Sequence, residues 1–335
     1  MQRPRLSLSR VLALAAITGG CRLQYAADCA TADVHAGDSV ECTVPGYVDR
    51  AFDLRVPPSW DGGTPMPLIV AFHGGGAFKG SAETVTCPGS DRSDPHCLGN
   101  LAVERGYAVV YPNGIGSRPL RGVRTWNAGG NRNGYICGFG PACHLDIDDV
   151  GYVADMFAEL EAAIPIDATR VYATGISNGG AMTHRLGCEA RTRFAAIAPV
   201  AGANLHADSG GPCDVSIPIL DIHGTADPNW AYDSGEKRDG YWSGADETME
   251  NWRVRNGCAA TFVDEPLPDA APRDGATSVR RRWDGCAAAT ERIRIEGGGH
   301  TWPSGQQYFS EDVIGSVTFD FGSEVILDFF DAHRM

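Results

Sequence analysis

The pentapeptide Gly175-Ile176-Ser177-Asn178-Gly179 sets a serine hydroxyl between two glycines, directly after an apolar run and before a stretch able to form a helix. A serine on a tight strand-to-helix turn has a strained backbone, and only glycines two positions either side leave room for it. The helix that follows aims its N-terminal amides at the hydroxyl. A bare G-x-S-x-G occurs often by chance. Its placement between strand and helix favours a nucleophile over a structural turn serine.

A nucleophilic serine needs a base and an acid that orients it. On folds with such a turn, these follow the serine in the order Asp or Glu, then His. Asp227 lies in His223-Gly224-Thr225-Ala226-Asp227-Pro228, just past an apolar run. There a carboxylate can reach an imidazole from the side, although Asp before Pro is also a common turn. The base is expected at His300, in Gly297-Gly298-Gly299-His300-Thr301-Trp302-Pro303, where the glycines let the loop bend over the serine. Imidazole suits the role because it titrates near working pH. His223 precedes the acid and reads as a core or loop-fixing histidine, and His333 lies in the C-terminal tail.

His73-Gly74-Gly75-Gly76 follows another apolar run. Its backbone amides at Gly74 and Gly75, with the N–H of Asn178, can form a hole for the oxyanion of a tetrahedral intermediate. A phosphate cradle is disfavoured because no Lys-Ser or Lys-Thr follows the glycines. His73 reads as a structural residue that holds the loop through its ring. The chemistry expected is two-step acyl transfer, which requires no metal and no organic cofactor.

These residues must be held by strand ends. Residues 52–56 alternate like an edge strand, while 68–72, 108–111, 171–174, 195–200, 217–222 and 293–295 read as buried strands. Val150, Val153, Phe157, Leu160 and Ile164 recur at helical spacing, with Asp148 or Asp149 as N-cap. Buried strands alternating with amphipathic helices imply an α/β fold: a mostly parallel sheet covered on both faces, with the site at the strands' C-terminal ends. Asp146, Asp148 and Asp149 could form a cation site, but no further oxygen ligands accompany them in a recognisable loop, and capping is preferred.

With 335 residues, 43% hydrophobic and 21% charged, the chain suffices for one large core. A net charge of −14 disfavours nucleic acid as a partner. The basic run Arg280-Arg281-Arg282 reads as a solvated strand or loop.

Residues 1–20 read as an export signal: Arg3, Arg5 and Arg10, then a short apolar run and small residues, with no transmembrane segment. Gly20-Cys21 resembles a lipoprotein cleavage site, so plain secretion and a lipid anchor at Cys21 both stay open. Residues 21–43 form an N-terminal segment, and 44–335 a catalytic domain without an appended module. Setting Cys21 aside, the 11 cysteines leave an even ten, which in an exported chain suggests five disulfides rather than a metal site. Spacing suits Cys29 with Cys42, Cys87 with Cys97, and Cys137 with Cys143, although connectivity is not fixed by spacing.

Taken together, Pro67-Leu68-Ile69-Val70-Ala71-Phe72-His73-Gly74-Gly75-Gly76, Tyr111-Pro112-Asn113-Gly114, Trp126-Asn127 and Asp148-Asp149-Val150-Gly151, with the serine, aspartate and histidine motifs, resemble one family. It comprises the secreted bacterial esterases grouped as polyhydroxybutyrate depolymerase-like and feruloyl esterase-like α/β-hydrolases. The resemblance implies the triad Ser177, Asp227 and His300, the oxyanion hole above, and the pairs Cys258–Cys286 and Cys188–Cys213. The chain departs from the pattern in an insert between Phe78 and Leu98 and in a loop from Gly129 to Leu145, both expected to shape the substrate rim.

Trp126, Trp302 and Trp230 lie beside the motifs and are the candidate substrate-binding residues; Tyr232, Tyr241 and Trp242 could add an aromatic platform. The expected partner is an ester on plant cell-wall polysaccharide, feruloyl or acetyl on xylan. The alternatives are a polyester such as polyhydroxybutyrate, and a non-catalytic surface lipoprotein that keeps the fold as a binding module.

Overall fold

The computed structural model describes residues 27–116, 122–237 and 240–335. The expected export signal and Cys21 lie outside them. Eleven strands form one sheet: β1 Ala27–Asp28, β2 Ser39–Thr43, β3 Phe52–Arg55, β4 Met66–Phe72, β5 Ala108–Pro112, β6 Ile166–Ile176, β7 Ala196–Val200, β8 Ile219–Gly224, β9 Phe262–Pro266, β10 Thr277–Trp283 and β11 Thr290–Glu296. Their spatial order is β1-β2-β3-β5-β4-β6-β7-β8-β11-β10-β9. The six from β5 to β11 run parallel, and antiparallel strands extend the sheet on both sides.

The parallel strands are apolar without interruption because both faces are covered. Along β4, Leu68, Val70 and Phe72 join one core, and Ile69 and Ala71 the other. The first core takes in helices α3 (Asp149–Ala163), α4 (Asn178–Glu189) and α5 (Ala245–Arg255) through Met156, Leu160, Met182, Leu186, Met249 and Trp252. The second takes in α1 (Lys79–Val85), α2 (Leu98–Glu104) and α6 (Glu324–Asp331). There the Phe330 ring stacks on Tyr172 of β6 with centroids 4.6 Å apart. Each such buried side chain contributes roughly 1.5–3 kcal/mol.

Asp148 is the N-cap of α3, its carboxylate accepting from the Gly151 amide at 2.8 Å. Asp149 is buried instead as the partner of Arg50. Arg280, Arg281 and Arg282 lie on β10 and pair with Glu291, Asp264 and Glu265 of the flanking strands. The ten cysteines of the described residues form five disulfides: Cys29–Cys42, Cys87–Cys97, Cys137–Cys143, Cys188–Cys213 and Cys258–Cys286. The pairs drawn from spacing and from the family resemblance are the ones found.

Candidate active site

β6 runs into α4 through Ser177, whose backbone sits at φ 60°, ψ −123°. Few L-residues adopt this conformation, and such strain persists only where the surroundings enforce it. Here the Ser177 amide donates to Val200 O at 2.9 Å, and its carbonyl accepts from the Ala181 amide at 2.9 Å. Gly179 lets the turn close: a Cβ there would stand 2.4 Å from Phe72 O at the end of β4. The serine therefore rises at the C-terminal edge of the sheet, beside the loop that follows β4.

That loop is set by His73, which is wholly buried. Its Nδ1–H donates to Gly74 O at 2.7 Å, and its Nε2 accepts from the Gly114 amide at 3.0 Å. The two bonds fix one neutral tautomer. Burial pushes the His73 pKa down to about 4, in keeping with the structural role expected of it. Among the described residues, the amides of Gly74, Gly75 and Asn178 have no hydrogen-bond partner. The Asn178 side chain is committed elsewhere, accepting from the Trp126 amide at 2.7 Å and donating to its carbonyl at 3.0 Å.

β8 and β11 are parallel neighbours, so the loops after them leave the same edge. The Ala226 amide donates to Gly298 O at 3.0 Å, locking the two loops together. Across this contact His300 Nδ1–H donates to Asp227 Oδ2 at 2.7 Å. The other carboxylate oxygen accepts from the Asn229 and Trp230 amides at 2.8 and 2.7 Å. Burial alone would raise the Asp227 pKa, but donation from His223 and His300 outweighs it and holds the carboxyl well below the usual range. With the proton on Nδ1, the Nε2 lone pair of His300 is available as a base. Tyr308 Oη steadies the loop by donating to His300 O at 2.7 Å.

His223 carries more than the sequence indicates. Its Nε2 donates to Trp230 O at 2.8 Å and stands 3.3 Å from Asp227 Oδ2, so Asp227 lies between two imidazoles. The signal was present in the i,i+4 spacing of His223 and Asp227 past a strand end.

Ser177, His300, Gly74 and Gly75 line one cleft of about 640 Å³. The insert after Phe78 and the loop from Gly129 to Leu145 both reach its wall, through Phe78, Val85, Arg92 and Phe139. The three tryptophans offered as substrate-binding residues do not. Trp126, Trp302 and Trp230 are 0%, 1% and 2% exposed and are absent from the cleft wall among the described residues. Their indole N–H groups are bound to His73 O, Ser323 Oγ and Ser243 O. Proximity in sequence to the motifs reflects a scaffolding role, since a large ring that buries its N–H supports a loop from behind. The aromatic side chains on the wall are Phe78, Phe139, Tyr308 and Phe309, none adjacent to a catalytic motif in sequence except Phe78.

NocK of Nocardia uniformis subsp. tsuyamanensis, a protein named as an esterase, is 30% identical over 294 residues, covering 80% of this chain and 75% of the relative. The chain belongs to the esterase family of α/β-hydrolases. It is a carboxylic ester hydrolase. Feruloyl esterase C of Emericella nidulans is 29% identical over 259 residues, or 76% of this esterase and 78% of the relative. No family model matches the sequence. An acetyl xylan esterase structure from Aspergillus awamori superposes with a TM-score of 0.53 at 15% identity, covering 88% of this esterase and 99% of that chain, and shows the shared fold. No helix among the described residues is long and apolar enough to cross a membrane.

Proposed function

We propose that this esterase removes feruloyl or acetyl groups from xylan-type polysaccharide, with Ser177 as nucleophile, His300 as general base and Asp227 as the acid that orients it. The observation that carries the mechanism is the 2.7 Å bond from His300 Nδ1–H to buried Asp227, beside a strained serine in the same cleft. Ser177 attacks the ester carbonyl while His300 Nε2 takes its proton. The developing oxyanion is held by the amides of Gly74, Gly75 and Asn178. His300 then protonates the leaving alcohol, and water activated by the same nitrogen releases the acid.

The substrate reading is supported by relatives named as feruloyl esterases and by one named as a bifunctional acetylxylan esterase/xylanase. Five disulfides suit an enzyme that folds in an oxidising compartment, and export with or without a lipid on Cys21 completes the proposal. Hydroxybutyrate esters are the competing substrate raised by the sequence resemblance. Turnover of methyl ferulate, acetylated xylan and hydroxybutyrate oligomers by the purified protein separates these cases. The expected result is release of ferulate or acetate. Hydroxybutyrate release with neither would overturn the substrate reading.

A further inference from the structure

Phe139 is half exposed at 51%, yet the loop that carries it is tightly held on the cleft wall. It sits inside Cys137-Gly138-Phe139-Gly140-Pro141-Ala142-Cys143, a loop closed by its own disulfide. Gly140, at φ +73°, is pressed so closely on Thr125 that a Cβ would stand 2.2 Å from Thr125 Cγ2. Gly138 backs onto Leu205 and Trp230 at 3.0 and 3.1 Å by the same measure. Between these two anchors the phenyl ring is delivered onto the glycine loop after β4. A Cβ on Gly75 would lie 2.3 Å from Phe139 Cδ1, and one on Gly76 3.5 Å from Cε1.

Gly75 supplies one of the unpaired amides proposed to hold the oxyanion. A ring in van der Waals contact with it lies beside any carbonyl bound there. The leaving oxygen must face His300 to be protonated. Tyr308 and Ile314 are tied to that side, through Tyr308 Oη to His300 O and the His300 amide to Ile314 O. With the leaving oxygen on the His300 side, an acyl group whose carbonyl sits on the Gly75 amide would run along Phe139. A cleft of about 640 Å³ is in the range that encloses drug-sized ligands and is far larger than an acetyl group needs.

We infer that Phe139, presented by its disulfide-closed loop against Gly75, is a specificity-determining residue that packs on a planar aromatic acyl group and favours it over acetyl. The inference rests on the substrate reading above and narrows it to aromatic acyl esters. Offset or edge-on ring packing supplies the preference.

The test is the ratio of kcat/KM for methyl ferulate to that for p-nitrophenyl acetate in wild type, Phe139→Ala, Phe139→Tyr and Phe262→Ala. Phe262 is an exposed aromatic on edge strand β9 and serves as a control. Phe139→Ala should lower the ratio about tenfold, a common size for lost apolar pocket contact, whereas Phe139→Tyr and Phe262→Ala should keep it. A ferulate-active wild type whose ratio survives Phe139→Ala would overturn the inference alone. A wild type that cleaves p-nitrophenyl acetate but not methyl ferulate would overturn the aromatic substrate reading and the inference with it.

Discussion

At the scale of single residues, Asp227 is the centre of the proposed site. Asp227 is buried between His300 and His223 with its other oxygen on two backbone amides. Each donor stabilises the carboxylate, so the carboxyl stays ionised at any pH where an esterase works. Removing the His223 donor leaves Asp227 with one stabilising donor fewer, so its carboxyl takes up a proton at higher pH than in the wild type. In His223→Phe, which keeps the ring's bulk but cannot donate, the acid limb of kcat/KM is expected to move to higher pH, with kcat/KM lowered about tenfold or more at neutral pH. A uniform loss with an unmoved acid limb would assign His223 to packing only. That Ser177, Asp227 and His300 meet at one edge of the sheet is legible in sequence because each sits in a glycine-marked turn past an apolar run. His223 reads as a core or loop-fixing residue in sequence because its i,i+4 spacing to Asp227 marks nearness along the chain, not that the ring turns toward that carboxylate. The tryptophans misled for a related reason: closeness to a motif along the chain does not say which way a ring points.

Among the elements, the parallel strands and α3 were readable, since continuous apolar runs and helical spacing report burial directly. The outer strands were not. β2, β9 and β10 are exposed or half-buried, so no continuous apolar run marks them, although each pairs antiparallel with a strand near it in sequence. β10 is held by arginines facing acids on both neighbours, a pattern visible only once β9, β10 and β11 are adjacent. A second case is the junction of α3 with the loops at the active edge. Arg50 pairs with Asp149, donates to Asn113 O at 3.2 Å, and lies 3.7 Å over the Tyr152 ring. Asp149 also accepts from the Asn127 amide. Both charges are almost wholly buried, so losing one strands the other. Arg50→Ala should cost about 3–5 kcal/mol in urea unfolding; a loss under about 1 kcal/mol would show that water replaces the pair.

For the whole molecule, His73 links the oxyanion loop to stability. Its folded pKa of about 4 lies below the ordinary 6.5, because burial disfavours the charged ring. The unfolded chain therefore binds the proton more readily. The stability His73 contributes is full above pH 6.5 and is lost as pH falls toward 4, up to roughly 3 kcal/mol. Asp227, with its depressed pKa, adds a loss of the same sign below its ordinary 3.8. Asp149 and Asp208, raised by burial, act in the opposite sense, so a variant must isolate the histidine. A glutamine at 73 can donate and accept as the neutral imidazole does, without titrating. Unfolding free energies of His73→Gln should fall less steeply than wild type between pH 6.5 and 4. Parallel slopes would mean that His73 takes up its proton equally in the folded and unfolded states, and that burial does not lower its pKa.

The central claim is that Ser177 is the activated nucleophile of an ester hydrolase. A fluorophosphonate probe followed by peptide mass spectrometry measures this directly, because only an activated serine reacts. The expected result is a single adduct on the peptide carrying Ser177, absent from folded Ser177→Ala, whose ester turnover falls at least about a thousandfold. An adduct on another serine, or a folded Ser177→Ala that keeps substantial turnover, would contradict it.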